Sequence, residues 1–213
     1  MSKESKVLIG ILVLVVAGLV GLFVFANSGG SSSDNTAAKG TLVRPNSHKL
    51  GTGSVQVVEF GDFQCPACGR AQAAVKQVES EFNGKMTLYF RNFPLAQHAN
   101  ALVAANAAEE ASAEGKFWEM HDQLYATQAD WSTLSNADAV TKFAGYATSL
   151  GLDGAKVKAA ASNQTYKSII DQDTKDGTDL GIEGTPTFFV NGTKVNGIDY
   201  PSLRDAINAA LKP

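Results

Sequence analysis

The chain has 213 residues, of which 44% are hydrophobic and 18% charged, as in an ordinary globular protein. Without its terminal segments about 170 residues remain, enough for one domain with a core of its own. A formal net charge of −3 excludes the basic surface that nucleic-acid binding requires, so we expect no nucleic-acid partner.

Residues 7–26 form an uncharged apolar run that, as a helix, would cover the roughly 30 Å of a bilayer core. Lys3 and Lys6 precede the run and the next positive charge is Lys39, which places the N-terminus in the cytoplasm and the domain outside. The sequence therefore predicts a single-pass cell-membrane protein, with a cytoplasmic stub and transmembrane helix in residues 1–26. A cleaved signal peptide is the alternative, although its apolar region is usually shorter.

Residues 27–40 (NSGGSSSDNTAAKG) predict a flexible linker, because Gly, Ser and Asn offer little apolar surface to bury. The folded domain then covers residues 41–213. Residues 41–43 suggest a short edge strand, and residues 54–60 (SVQVVEF) a buried strand.

A helix is predicted over residues 69–82, where apolar residues recur at helical spacing. After the Asn83-Gly84 turn, residues 86–90 (MTLYF) predict another strand. A strand, a helix and a strand of these lengths indicate a right-handed crossover between parallel strands.

From about residue 98 to residue 180 the pattern is helical, without a strand signal, so we predict an inserted all-helical subdomain. The predicted helices cover residues 101–114, 117–125, 139–150, 153–161 and 165–180. Phe117, Trp118 and Leu124 are expected in its core. The acidic run at positions 171, 173, 176 and 179 is expected to be a solvated helix face, and His98 and His121 to lie at helix ends or on the surface.

The end of the chain returns to sheet structure. Residues 187–190 (TFFV), the Asn191-Gly192 turn and residues 193–196 predict a hairpin, and residues 201–211 predict an amphipathic helix. Together the elements predict an α/β fold, with a small mixed β-sheet flanked by helices and a helical insertion.

The two cysteines of the chain, Cys65 and Cys68, lie three positions apart between a predicted strand and a predicted helix. On a helix this spacing places both on one face, where a disulfide can open and close. Cys65 would lie at the helix N-terminus, where the dipole and the N–H groups of Ala67 and Cys68 stabilise a thiolate, since Pro66 has no N–H. Cys65 is then the attacking sulfur, and Cys68 resolves the mixed disulfide.

The cysteine pair has three other interpretations. A zinc site needs four ligands, and two cysteines with three histidines supply them poorly, so we expect no metal. A purely structural disulfide across two residues would add little stability. Two inert buried thiols are the third alternative.

Several stretches together resemble the DsbA-like thioredoxin-fold oxidoreductases, especially their membrane-anchored Gram-positive-type members, over about residues 41–212. The matching stretches are residues 58–68 (VEFGDFQCPAC), 91–95 (RNFPL), 115–118 (GKFW) with His121, Asp122, Leu124 and Tyr125, and residues 181–189 (GIEGTPTFF).

This resemblance implies a thioredoxin-like fold and a Cys65–Cys68 disulfide that is donated to exported or membrane proteins with free cysteines. It implies that Pro186 is a cis-proline opposite the cysteines, with the backbone of Thr185 offered to an incoming peptide. No cofactor other than the disulfide is implied. The reoxidant would be a quinone-linked membrane protein of the DsbB or VKOR kind, and we expect the protein to be a monomer.

Glu59 matches an acidic position of the family, within the buried strand. A carboxyl buried without a cation stays protonated and could exchange a proton with Cys68, unless it is simply a satisfied polar group at a strand end. Ala67 replaces the histidine of the best-known DsbA, so the helix terminus alone is expected to lower the pKa of Cys65, giving a weaker oxidant.

The sequence thus predicts a thiol-disulfide oxidoreductase that acts as an oxidase. The same residues would serve a reductase or isomerase, since direction depends on reduction potential and partner. A tethered polypeptide-binding chaperone without redox turnover is the alternative from another class.

Overall fold

The computed structural model describes residues 42–212. Predictions for residues 1–41, which include the transmembrane helix and the linker, lie outside the described residues. For residues 42–212 the prediction of a cell-membrane location is corrected: no helix among them is both long and apolar enough to span a bilayer.

A mixed β-sheet lies at the centre of the described residues, in the strand order β1-β3-β2-β4-β5. Strands β2 and β3 are parallel, and the other neighbours are antiparallel. The parallel pairing confirms the predicted strand–helix–strand unit. The strands are β1 (His48–Gly51), β2 (Val55–Gly61), β3 (Met86–Asn92), β4 (Thr187–Val190) and β5 (Thr193–Lys194).

Eight helices accompany this sheet within residues 42–212. They are α1 (Pro66–Glu81), α2 (Ala101–Ala113), α3 (Phe117–Ala126), α4 (Gln128–Trp131), α5 (Asn136–Ser149), α6 (Gly154–Asn163), α7 (Lys167–Asp179) and α8 (Tyr200–Ala210). Helices α2 to α7 follow one another between β3 and β4, in agreement with the predicted fold class of a mixed sheet with a helical insertion.

Local sequence signals explain several element ends. Ser135 accepts a hydrogen bond from the Asp138 amide, and Asp153 caps α6 through the amides of Ala155 and Lys156. Helix α1 begins at Pro66, earlier than predicted, because proline suits the first helical position. Asn191 and Gly192 both have positive φ angles, 46° and 88°, as the predicted hairpin turn requires.

Two elements differ from the prediction. The strand before β2 is β1, at one edge of the sheet, whereas Leu42 and Val43 of the predicted strand lie outside the sheet. Leu42 is completely buried with Phe60, Phe93 and Phe189, so its apolar side chain belongs to the core. Helix α4 was not predicted, because four residues are too few to show a helical period.

Apolar residues fill both faces of the sheet. Helices α1 and α8 pack on one core, in which Val57, Val78, Phe188 and Ile207 are buried. The other main core joins the helical insertion to the cysteines, and the predicted core residues Phe117 and Leu124 are buried in it, with Trp118 packed against it. The cysteines therefore lie where the sheet meets the insertion.

Candidate active site

The two cysteines occupy different environments, although only two residues separate them. Cys65 is the N-cap of α1 and is 7% exposed, whereas Cys68, one turn into the helix, is completely buried. Both are free thiols in this structure. Pro66 is the first residue of the helix, so its missing N–H leaves no intrahelical bond unmade.

Hydrogen bonds lower the pKa of Cys65 to about 4. The largest contribution is a hydrogen bond from the Cys68 thiol, followed by the Thr185 side chain and the backbone N–H groups of Cys68 and Ala67, while partial burial opposes the shift. The two predicted amide donors are present. The expectation that the helix terminus acts alone was wrong, because the Cys68 and Thr185 side chains also stabilise the thiolate.

Burial raises the pKa of Cys68 far above its ordinary value. Its hydrogen bond to Cys65 acts in the same direction, as does the charge of Glu59 whenever that carboxyl is ionised. The Asp62 amide, which donates to Cys68 Sγ at 3.5 Å, opposes them. At neutral pH the reduced pair is therefore a Cys65 thiolate beside a Cys68 thiol.

The Thr185-Pro186 peptide bond is cis, as predicted, and directly precedes β4. When protonated, Cys65 Sγ donates a hydrogen bond to the Thr185 carbonyl oxygen at 3.3 Å. The buried Thr185 hydroxyl has no hydrogen-bond partner among the described residues, so it is available to donate to the thiolate. The structure thus places Thr185 against Cys65, although 120 positions separate them in the chain.

Glu59 lies in β2 and is completely buried. Burial raises its pKa to about 8, and a hydrogen bond from Gln72 Nε2 to Glu59 Oε1, at 3.3 Å, opposes the shift. Within residues 42–212, Oε2 has no hydrogen-bond partner. The predicted protonated carboxyl near Cys68 is therefore present, while its role in proton exchange stays a prediction.

Side-chain amides connect the helical insertion to residues 62–65, the loop between β2 and α1 that we call the cysteine loop. Gln128 of α4 donates through Nε2 to the carbonyl oxygens of Phe63 and Cys65, at 2.7 and 3.0 Å. Gln64 donates to the Ser132 carbonyl at 2.6 Å and accepts from the Asn100 amide at 2.5 Å. These contacts could not be predicted from the sequence, because a glutamine that binds distant backbone atoms leaves no periodic signal.

Asp62 belongs to the same loop, and its carboxylate connects that loop to the segment after β3. Its Oδ2 accepts from the Leu95 amide at 2.9 Å and lies 2.7 Å from His98 Nδ1. Burial raises the pKa of Asp62, and these hydrogen bonds oppose the shift. Across the described part of the chain, His, Cys, Asp and Glu form no group of three or more that could hold a metal ion.

Three comparisons with known proteins agree with this geometry. The family model described as thioredoxin matches residues 50–209. Probable disulfide bond formation protein D of Bacillus cereus is 30% identical over 166 residues, which cover 74% of each protein. The crystal structure of oxidised BdbD from Bacillus subtilis superposes with a TM-score of 0.70 at 26% identity, covering 78% of this chain and 92% of that one.

Another relative carries a different name. Na(+)/H(+) antiporter NhaA 1 of Salinispora arenicola is 43% identical over 160 residues, which are 74% of this chain but only 23% of that protein. The chain thus spans about a quarter of the antiporter's length.

Proposed function

This chain belongs to the DsbA-like thioredoxin-fold thiol-disulfide oxidoreductases, and we propose that it acts as an oxidase, donating a Cys65–Cys68 disulfide to proteins with free cysteines. The observation that carries the direction is the lowered pKa of Cys65, about 4. At pH 7 this favours the thiolate over the thiol by about a thousandfold. A stabilised thiolate favours the reduced enzyme, which makes its disulfide oxidising.

The reaction proceeds by two thiol–disulfide exchanges. A substrate thiolate attacks Cys65 Sγ of the disulfide, the Cys65–Cys68 bond breaks, and Cys68 leaves as a thiolate. Because the pKa of Cys68 is high, this sulfur takes up a proton, and we propose Glu59, whose raised pKa keeps it protonated, as the donor. A second substrate thiolate then attacks the substrate sulfur and releases the Cys65 thiolate.

The electron balance of this cycle requires a second partner that reoxidises the enzyme. The substrate loses two electrons and gains a disulfide, while the enzyme ends with one thiolate and one thiol. Another turnover requires an acceptor for the two electrons. We propose a quinone-linked reoxidant of the DsbB or VKOR kind for this step, and Thr185 with Pro186 as the platform on which both partners' cysteine segments lie beside Cys65.

The reduction potential of the Cys65–Cys68 pair tests the direction. We expect a value clearly more oxidising than the approximately −270 mV of thioredoxin, measured by equilibration with glutathione. The oxidised protein should also form disulfides in a reduced two-cysteine peptide. A potential at or below that of thioredoxin would reverse the direction to reduction.

A double variant, Cys65→Ala with Cys68→Ala, provides the control. It should lose all disulfide transfer, because no sulfur remains to form the mixed disulfide. If cells that carry it behave like wild type, the protein acts by binding polypeptides and the redox proposal is wrong.

A further inference from the structure

Two buried oxygen atoms near Cys68 have no hydrogen-bond partner within residues 42–212. They are Glu59 Oε2 and Gln72 Oε1. Such atoms are uncommon in folded proteins, because burial without a partner costs free energy. Their concentration beside a reactive sulfur indicates a site arranged for chemistry rather than for stability.

The position of Gln72 on α1 explains how it reaches Glu59. It lies four residues after Cys68 and therefore on the same face of the helix. Its Nε2 donates to Glu59 Oε1 at 3.3 Å, which leaves Oε2 as the oxygen available to carry a proton. Tyr125 of α3 lies close enough that charges on Cys68, Glu59 and Asp62 contribute to raising its pKa, after burial.

Gln72 and Tyr125 also line an open groove between α1 and α3. This groove has a volume of about 300 Å³ and is completed by Gly69, Ala73, Lys76, Asp122 and Ala126. Glu59 itself is completely buried, whereas Gln72 is only partly so. Gln72 therefore stands between the buried carboxyl and solvent.

We propose that Gln72 is a positioning residue, which orients Glu59 for proton exchange with Cys68 and holds that carboxyl beside the α1–α3 groove, from whose water Glu59 regains its proton. This inference rests on the proposed function. It supplies what the cycle requires, because Glu59 gives a proton to Cys68 when the disulfide opens and must regain one before the next turnover.

The charged groups around this route do not supply that proton. Cys68 and Tyr125 are titratable side chains close enough to Glu59 for their charges to interact with it. In the groove, Lys76 and Asp122 form an ion pair at 2.9 Å. This pair raises the pKa of Lys76, whereas the pKa of Asp122 is lowered first by its hydrogen bond with His121 and then by Lys76, against the effect of burial. Both are thus ionised at neutral pH, and the proton comes from solvent.

A double-mutant cycle between Gln72→Leu and Glu59→Gln tests the inference. In the wild-type background we expect Gln72→Leu to slow reduction of the oxidised protein by a peptide thiol about tenfold, the worth of one hydrogen bond to a charged group. In the Glu59→Gln background it should have no further effect, because the residue that it positions can no longer exchange a proton. Equal slowing in both backgrounds would overturn the inference.

The pKa of Glu59, followed by carbon-13 NMR of its carboxyl in the reduced protein, gives a second readout. Since the Gln72 hydrogen bond lowers this pKa, Gln72→Leu should raise it. The matched control Gln77→Leu, at an exposed position of the same helix, should change neither the rate nor the pKa. An unchanged Glu59 pKa in Gln72→Leu overturns the inference even if the protein is an oxidase, whereas a wild-type protein that transfers no disulfide overturns the proposed function alone.

Discussion

Strands β2 and β3 each contain a completely buried ionisable side chain, Glu59 in β2 and Arg91 in β3. The two side chains differ in how many of their polar atoms have hydrogen-bond partners. Phe60 pairs with Arg91 in the parallel register, so Glu59 and Arg91, which is completely buried, point to opposite faces of the sheet. They cannot neutralise each other. Glu59 keeps one carboxylate oxygen without a partner among residues 42–212, whereas Arg91 is surrounded by acceptors.

The Arg91 site satisfies its carboxylates fully. Arg91 donates to Asp173 at 2.8 Å, to Asp176 at 2.5 Å and to the Leu42 carbonyl at 2.8 Å. The second oxygen of Asp173 accepts from the Asn92 amide, and that of Asp176 from Arg44. This network attaches α7 to the sheet, whereas the Glu59 site leaves one carboxyl oxygen without a hydrogen-bond partner among residues 42–212.

The largest expected effect comes from breaking the satisfied site. Arg91→Met leaves Asp173 buried without its cation, and should lower the free energy of unfolding by about 3–5 kcal/mol. Urea denaturation measures the loss, with Arg70→Met at an exposed position of α1 as the control. A loss below about 1 kcal/mol would mean that the Arg91 network does not hold α7 against the sheet.

Replacing Glu59 should stabilise the protein, whereas replacing Arg91 destabilises it. Because its pKa rises from 4.5 to about 8 on folding, the folded protein binds this proton more tightly than the unfolded chain does. The contribution of Glu59 to the free energy of unfolding is therefore fully present below the ordinary pKa of 4.5 and is lost progressively as the pH rises toward 8. Relative to wild type, reduced Glu59→Gln should gain about 1.4 kcal/mol for each pH unit across that window.

Denaturation of reduced wild type and Glu59→Gln between pH 4 and pH 8 checks this slope. Glu119→Gln, which removes a carboxyl from an exposed position, serves as the charge-matched control. A constant difference between Glu59→Gln and wild type across the window would show that the buried carboxyl does not hold its proton.

The smallest effect is expected at the edge of the Arg91 network. Arg44 is 35% exposed at its side chain, and Asp176 keeps its bond to Arg91 when Arg44 is lost. Arg44→Gln should therefore cost about 1 kcal/mol or less, measured by urea denaturation at pH 7. A loss as large as that of Arg91→Met would show that the exposed arginine carries the network.

Periodicity and turn chemistry predicted much of this molecule. Strand β2, helix α1, the parallel β2–β3 pair and the Asn191-Gly192 hairpin follow from local pattern, and the position of Cys65 at a helix terminus follows from its place between β2 and α1. The cis bond before Pro186 came only from family resemblance, since nothing local to Thr185 requires it.

Long-range polar contacts could not be predicted in the same way. Asp173 and Asp176 were expected on a solvated face, but they are buried with Arg91, 82 and 85 positions away. Only Asp171 and Asp179 remain as surface partners of Lys167 and Lys175. An arginine directly after an apolar strand run was the available signal, because a buried guanidinium needs carboxylates.

Histidine shows the same limit. His121 was expected at a helix end or on the surface, but it is 1% exposed and packs edge-on against Phe63, Phe90 and Tyr125. Burial lowers its pKa, so this ring serves the aromatic core in its neutral form.

The contacts of Gln128 have a consequence for how the chain tolerates changes in length. Because Gln128 and Ser132 bind the backbone or side chains of the cysteine loop directly, an inserted or deleted residue near α4 would shift the reactive sulfur itself. The turn between α5 and α6 has no such attachment to that loop within the described residues, so lengthening it would leave Cys65 in place. We therefore expect insertions and deletions to be tolerated in the turn between α5 and α6 but not among the residues around α4.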